Sequence, residues 1–174
     1  MTEKQQSIFL AALDLFSTDG VDATSTSKIA QRAGVSEGLI FRHYKNKEGL
    51  LQAILEEGLK KGQEYFQEIS KEKSAQERIK KALQLPFSIP EKEFRFWKLF
   101  YTLKWQRGGG IETEGMVEFR SSLSDAFEEL GYADPAAEAR LIEALIDGIA
   151  TEVLIKNLAP EPLLACLIDK YKLK

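Results

Sequence analysis

Residue types that build metal sites and disulfides are scarce in this sequence. Its 174 residues include one histidine, one cysteine and two methionines. A single histidine and a single cysteine cannot form a metal-binding cluster or a disulfide framework. The motifs of zinc proteases and phosphate-binding loops do not occur either. These absences argue against an enzyme, and the sequence predicts neither a metal nor a cofactor.

Long hydrophobic runs are missing as well. No apolar stretch approaches the roughly 20 residues that a membrane-spanning helix needs. The first residues, MTEKQQ, are polar and do not resemble a hydrophobic leader. Together with the single Cys166, these features predict a cytoplasmic protein with no membrane partner.

The charge is unevenly distributed along the chain. The net charge is −3, yet residues 1–47 carry +1 and the remainder carries −4. From Lys28 to Lys47 there are five basic residues and one acidic residue, Glu37. A basic segment within an acidic protein suits contact with DNA phosphates.

Residues 25–47 have the pattern of two helices joined by a tight turn. The apolar residues from Ile29 to Ala33 recur at helical spacing on one face. Gly34 suits the left-handed backbone that closes a helix, and Ser36 can cap the next one. In this second helix Ile40 faces inward, which leaves the other faces free to enter a groove. We therefore expect a helix-turn-helix.

Several side chains around this second helix suit contacts with DNA. The run from His43 to Lys47 supplies hydrogen-bond donors for phosphate oxygens. Gly38 lowers helix stability by roughly 1 kcal/mol relative to alanine, which favours close approach of the backbone to DNA. Leu39 can contact a thymine methyl group. His43 alone could equally be a structural hydrogen-bonding residue.

The segment resembles the N-terminal signature of the TetR/AcrR family of bacterial transcriptional regulators. The matching positions are Gly20, Thr24, Ser25, Thr26, Ile29, Ala30, Ala33, Gly34, Val35, Ser36, Gly38, Ile40, Phe41, His43, Tyr44, Lys47 and Leu50.

The resemblance implies an all-α protein. A three-helix DNA-binding domain at 1–47 would precede a helical ligand-binding and dimerisation domain at 48–174. It also implies repression of transcription that a small effector relieves. Carried over by position, DNA contacts are expected from Thr26, Ser36, Gly38, Phe41, His43 and Lys47.

Three residues depart from the family pattern. Glu37 replaces a neutral or basic residue, and we expect it to stabilise the helix N-terminus rather than to accept a hydrogen bond from cytosine. Phe41 replaces a tyrosine, and Leu39 replaces a small or polar residue. With Arg42 and Tyr44, these residues complete the predicted DNA-contacting set.

The rest of the sequence is also expected to be helical. The predicted helices are a first one containing Phe9 to Phe16, a long one from Lys47 to Ile69, a short one at 75–85, an aromatic one ending at Gly108 to Gly110, one at 111–130, one at 135–157, and a last one after Pro162.

The aromatic helix is a candidate binding site for a small apolar effector. The residues predicted to contact the effector are Phe94, Trp97, Phe100, Tyr101 and Trp105. The alternatives are that these side chains form ordinary core or, less favoured in an acidic helical protein, that they lie at a membrane surface.

The last two helices are expected to join two copies into a homodimer on double-stranded operator DNA, and Cys166 is expected to be a small buried hydrophobe. A second hypothesis keeps the DNA-binding domain but gives the C-terminal domain a protein partner and no ligand.

Overall fold

Helices form the regular structure of the chain, which a computed structural model describes over residues 1–106, 113–156 and 161–173. No strand occurs within these ranges, so the predicted all-α fold is confirmed. The helices are α1 (Glu3–Thr18), α2 (Thr26–Ala33), α3 (Glu37–Tyr44), α4 (Lys47–Ser70), α5 (Ala75–Gln84), α6 (Phe94–Gln106), α7 (Glu114–Glu129), α8 (Pro135–Leu154) and α9 (Glu161–Lys170). Short 3₁₀ turns at Leu85–Phe87 and Glu91–Glu93 lie between α5 and α6.

The helix order follows the sequence prediction, with shifted ends. The predicted helix at 111–130 begins at Glu114 in the described part of the chain. The helix predicted at 135–157 ends at Leu154. Three of the predicted features lie outside the described residues: the glycine triplet at 108–110, the first two residues of the helix at 111–130, and the predicted helix end at 157.

The chain forms two compact units. The first comprises Met1–Lys60 and Lys92–Leu103, and the second comprises Lys61–Glu91 and Lys104–Lys174. Both α4 and α6 contribute residues to each unit. The domain predicted at 1–47 falls wholly within the first unit, which also contains the start of α4 and most of α6.

Local signals in the sequence fix the helices of the helix-turn-helix. Ser25 caps α2 by accepting a hydrogen bond from the Lys28 backbone N–H. Gly34 ends α2 with a φ of 67°, in the left-handed region that glycine adopts without steric cost. Ile29 and Ile40 are fully buried in the core of the first unit, together with apolar residues of α1, α4 and α6.

A tight corner joins α3 to α4. Lys45 has a φ of 70°, and the Asn46 side chain accepts a hydrogen bond of 2.7 Å from the Gly49 backbone N–H. A Cβ at Gly49 would lie 2.1 Å from the carbonyl oxygen of Tyr44. Only glycine fits this place, and the corner fixes Lys47 at the first position of α4.

Two contacts in the first unit connect α6 to the helices around it. A Cβ at Gly58 of α4 would lie 1.5 Å from Cζ of Phe96, so the phenyl ring fills the notch left by the glycine. The Asp14 carboxylate of α1 pairs with Arg32 of α2 at 2.5 Å and with Arg95 of α6 at 3.1 Å.

The second unit has its own core, built from α5, α7, α8, α9 and the end of α4. Thr113 and Asp134 cap α7 and α8 with their side chains. Leu167 of α9 and Tyr171, which directly follows the helix, are buried in this core, whereas Cys166 is exposed. The predicted burial of Cys166 is therefore wrong, because the buried stripe of α9 runs along the opposite side of the helix.

Candidate nucleic-acid interface

The exposed side of α3 carries several of the predicted DNA-contacting residues. Ile40 points into the core, while Ser36, Gly38, Phe41 and Arg42 are exposed. Phe41 presents 48% of its surface to solvent, which is high for a phenylalanine. Because the second helix of this motif enters the major groove, these residues lie on the surface that would contact DNA.

Ser36 and Gly38 have little structural role of their own at the start of α3. Ser36 stands at the N-cap position but makes no side-chain capping hydrogen bond. A Cβ added at Gly38 would meet nothing within 4 Å. The helix therefore does not need the Ser36 hydroxyl as a cap, and packing does not require glycine at position 38. Contact with a ligand is the simpler explanation for both residues.

Residues 34–38 also spell G-x-S-x-G, the letter pattern of a hydrolase nucleophile elbow. In such an elbow the serine lies on a sharp turn between a strand and a helix. Here Ser36 lies between α2 and α3, so this segment lacks the backbone that exposes a nucleophile.

His43 and Tyr44 are held by Gln5 of α1, a residue that the sequence analysis did not single out. The Gln5 amide nitrogen lies 3.3 Å from Nδ1 of His43. An amide nitrogen only donates, so Nδ1 accepts and the neutral ring keeps its proton on Nε2, where it can reach a phosphate. The Tyr44 hydroxyl donates to the Gln5 carbonyl at 3.3 Å, and burial raises the pKa of Tyr44.

Lys47 and Leu39 are also partly engaged within the first unit. The Lys47 ammonium group donates to the Val21 carbonyl at 2.9 Å. An ammonium group has three donors, so this bond anchors Lys47 and leaves two donors for phosphate. Leu39 is partly buried and packs against the core of the first unit. Its predicted contact with a thymine methyl stays a prediction.

Thr26 and Glu37 meet across the turn. The Thr26 hydroxyl donates to the Glu37 carboxylate at 2.6 Å. Both residues are half-buried, and each is the first residue of its helix. Nothing in the sequence pattern links position 26 to position 37, because a threonine and a glutamate eleven residues apart are common.

Ion pairs reduce the positive charge that the sequence places in this segment. Lys28 pairs with Asp19 at 2.6 Å, and this hydrogen bond holds the pKa of the Asp19 carboxyl below its ordinary value. Arg32 pairs with Asp14. The positive charge available to phosphates is thereby concentrated toward Arg42 and the α3–α4 corner.

The aromatic residues of the predicted effector site are divided between the two units. Phe94, Trp97, Phe100 and Tyr101 belong to the first unit, where Trp97 and Phe100 pack against its core with ring centroids 5.8 Å apart. Trp105 belongs to the second unit, is 49% exposed and donates to Thr151 at 3.1 Å.

Glu93 is a buried carboxylate beside these aromatic residues that the sequence analysis did not identify. Its carboxylate accepts a hydrogen bond of 3.4 Å from the Trp97 indole N–H. A glutamate three residues after Pro90, directly preceded by Glu91 and Lys92, gives no sequence signal of burial.

The described residues form neither a metal-binding cluster nor a membrane-spanning helix. No cluster of histidine, cysteine and acidic residues there could hold a metal ion. Within the same residues, no helix combines the length and hydropathy required to cross a bilayer.

The fold and the site together define a class: an all-helical protein with an N-terminal helix-turn-helix of the kind found in transcriptional regulators. Residues 8–54 match the family model described as bacterial regulatory proteins, tetR family. Over these residues the chain is similar to members of the TetR family, as the sequence motif indicates.

Curated relatives share mainly this domain. The HTH-type transcriptional regulator YvkB of Bacillus subtilis is 46% identical over 55 residues, which are 32% of this chain and 29% of that protein. The fatty acid metabolism regulator protein of Bacillus subtilis is 33% identical over 87 residues, 49% of this chain and 45% of that protein. The chain thus matches less than half the length of these relatives. Both relatives are named as regulators.

Solved structures extend the likeness of fold to nearly the whole chain. A TetR-family regulatory protein from Rhodococcus RHA1 has a TM-score of 0.76 and 20% identity over 98% of this chain and 96% of that chain. FadR from Bacillus subtilis, solved in complex with stearoyl-CoA, has a TM-score of 0.68 and 22% identity over 95% and 94% of the two chains.

Proposed function

We propose that this protein is a sequence-specific transcriptional regulator that binds double-stranded operator DNA as a homodimer. The observation that carries the proposal is the exposed side of α3. Ser36, Gly38, Phe41 and Arg42 lie there in contact with solvent, and a Cβ at Gly38 would meet nothing within 4 Å. In a TetR-type domain this side of the helix is the one that a major groove can accept.

Exposed apolar residues on the last two helices support the homodimer. Along α8 and at its C-terminal end they recur at helical spacing, with Leu141 at 43% exposure and Ile155, directly after the helix, at 41%. The remaining members of this α8 stripe are Ala137, Ala144 and Gly148. On α9, Leu163 is 45% exposed, and Cys166 lies one turn further on. Such a surface is costly in water and is covered when a second copy packs against it.

The regulator acts as a repressor that a small, largely apolar effector releases. The aromatic residues of α6, Phe94, Trp97, Phe100, Tyr101 and Trp105, supply apolar surface for such a molecule. FadR of Bacillus subtilis, which has the same fold, binds stearoyl-CoA, a ligand with a long apolar chain. The effector shifts the population toward a form that no longer fits the operator.

The alternative is a C-terminal unit that docks a protein partner and binds no ligand. The half-exposed Trp105 favours it, because exposed tryptophans are enriched in protein interfaces. Under this alternative, small apolar molecules leave DNA binding unchanged.

Selection of bound fragments from a random pool of double-stranded DNA tests the proposed function. We expect enrichment of a site with two-fold symmetry, because each subunit of a dimer presents one recognition helix. Recovery without any shared sequence would contradict specific regulation. Repeating the selection with fatty acids and acyl-CoA thioesters then separates the effector hypothesis from protein docking.

A further inference from the structure

The turn of the helix-turn-helix holds a carboxylate at the start of the recognition helix. Thr26 Oγ1 donates to Glu37 Oε1 at 2.6 Å. A hydroxyl group has one proton, so Thr26 cannot donate to a phosphate while this bond persists. The bond uses one of the carboxylate oxygens and leaves Glu37 Oε2 with its acceptor capacity.

The surroundings of Glu37 are open to a groove. Glu37 is the first residue of α3, and the first residues of a recognition helix contact base edges. Gly38 beside it has free space where a side chain would be, and Phe41, one turn further on, is half-exposed. Gly38 thus leaves room beside Glu37 for a base edge.

The chemistry of a carboxylate discriminates among the four bases. An ionised carboxylate only accepts hydrogen bonds. In the major groove, guanine N7 and O6 and thymine O4 are also acceptors and repel it, whereas cytosine presents the N4 amino donor. Adenine presents an amino donor beside the acceptor N7, a pattern that suits a carboxamide better than a carboxylate.

We propose that Glu37 is a specificity-determining residue that accepts a hydrogen bond from the N4 amino group of a cytosine in each half-site, and that Thr26 positions its carboxylate. This inference rests on the proposed function. It assigns Thr26 a positioning role in place of the direct DNA contact that the family resemblance implies.

Substitution of Glu37 tests the base preference. The selected operator and its three single-base variants at each half-site position are titrated with full-length protein. At one position the wild type should prefer cytosine by about tenfold. Glu37→Gln should move the preference to adenine, because a carboxamide pairs with both N6 and N7, and Glu37→Ala should abolish it. Circular dichroism establishes that the variants are folded, and either variant alone decides the outcome.

Substitution of Thr26 tests its positioning role, with Thr26→Ser as the matched control. Thr26→Val removes the hydroxyl and should reduce the cytosine preference by about threefold or more, while affinity for the three variant sites stays nearly constant. Thr26→Ser keeps the hydroxyl and should behave as the wild type. An equal loss of affinity for all four sites would overturn the positioning role and indicate that Thr26 contacts the DNA backbone instead.

The outcomes separate this inference from the proposed function. If Glu37→Gln and Glu37→Ala keep the wild-type preference at every position, the inference is overturned while specific DNA binding stands. If the wild type selects no sequence at all, the proposed function fails and the inference fails with it.

Discussion

Gly38 and Gly49 occupy the first turns of neighbouring helices for opposite physical reasons. A Cβ at Gly49 would collide with the carbonyl oxygen of Tyr44 at 2.1 Å, so the α3–α4 corner requires this glycine. A Cβ at Gly38 would meet nothing within 4 Å. Glycine at position 38 therefore lowers helix stability without relieving any contact within the chain.

Replacing Gly38 by alanine should separate stability from DNA binding. We expect the free energy of unfolding to rise by up to about 1 kcal/mol, because alanine is the better helix former. Affinity for the selected operator should fall, because the added methyl group would keep the helix from the groove. Urea unfolding and operator titration measure the two effects. Unchanged affinity would show that the backbone at Gly38 does not approach DNA closely.

Single residues were predictable from the sequence where the signal was local. The cap at Ser25 and the left-handed Gly34 follow from residues within one turn of the helix ends. The role of Gln5 was not predictable, because its contacts with His43 and Tyr44 join positions 38 and 39 residues apart. The exposure of Cys166 was missed because α9 has apolar residues on both sides, and only packing decides which side is buried.

At the level of elements, the crossing of α4 and α6 depends on the Gly58 notch. Gly58→Ala should lower the free energy of unfolding by about 1–3 kcal/mol, because the new methyl group overlaps the buried Phe96 ring. Urea denaturation measures the change.

A double-mutant cycle assigns the effect of Gly58→Ala to the ring. In the background of Phe96→Leu, the same substitution should cost less stability, because leucine leaves room for the methyl group. Equal costs in both backgrounds would place the clash elsewhere.

The contact between α8 and α9 should depend on alkaline pH. Burial, followed by the charge of Glu138, raises the pKa of Tyr171 to about 12, above its ordinary value of 10.0. The folded protein therefore keeps a proton that the unfolded chain loses, so this contribution is complete below pH 10 and declines as the pH rises toward 12. Tyr171→Phe should show a smaller loss of stability between pH 9 and 11 in urea titrations. An identical loss would mean that other groups cause it.

The order and type of the helices were predictable because their apolar spacing and caps are strong. The placement of α6 was not. Its aromatic residues suggested a site in the C-terminal domain, yet Trp97 and Phe100 pack with the core that also holds Ile29 and Ile40. Apolar periodicity shows that a helix is buried but does not show which helices bury it.

For the whole molecule, the proposed dimer makes DNA binding depend on a surface far along the chain from α3. Ala144→Glu places a charge within the exposed apolar stripe of α8 and should favour the monomer. Operator affinity should then fall by about 100-fold or more, because two half-sites are no longer bound together. Sedimentation and operator titration measure both effects.

The matched control for this substitution is Ala136→Glu, which places the same charge on an exposed position of α8 outside the stripe. It should leave both the oligomeric state and DNA affinity nearly unchanged. Loss of the dimer in both variants would indicate a general effect of charge on α8.

The ring of Phe96 in the notch at Gly58 also limits how α6 can move against the part of α4 in the same unit. The other glycine in this part of α4 is Gly49. The Tyr44 carbonyl oxygen already occupies the space beside it, so Gly49 cannot receive the ring. The part of α4 in the first unit therefore offers the Phe96 ring no second notch. If α6 moved along the axis of α4, the ring would collide with a side chain of α4. Displacements of α6 that keep the ring seated at Gly58 should therefore cost less than displacements along α4.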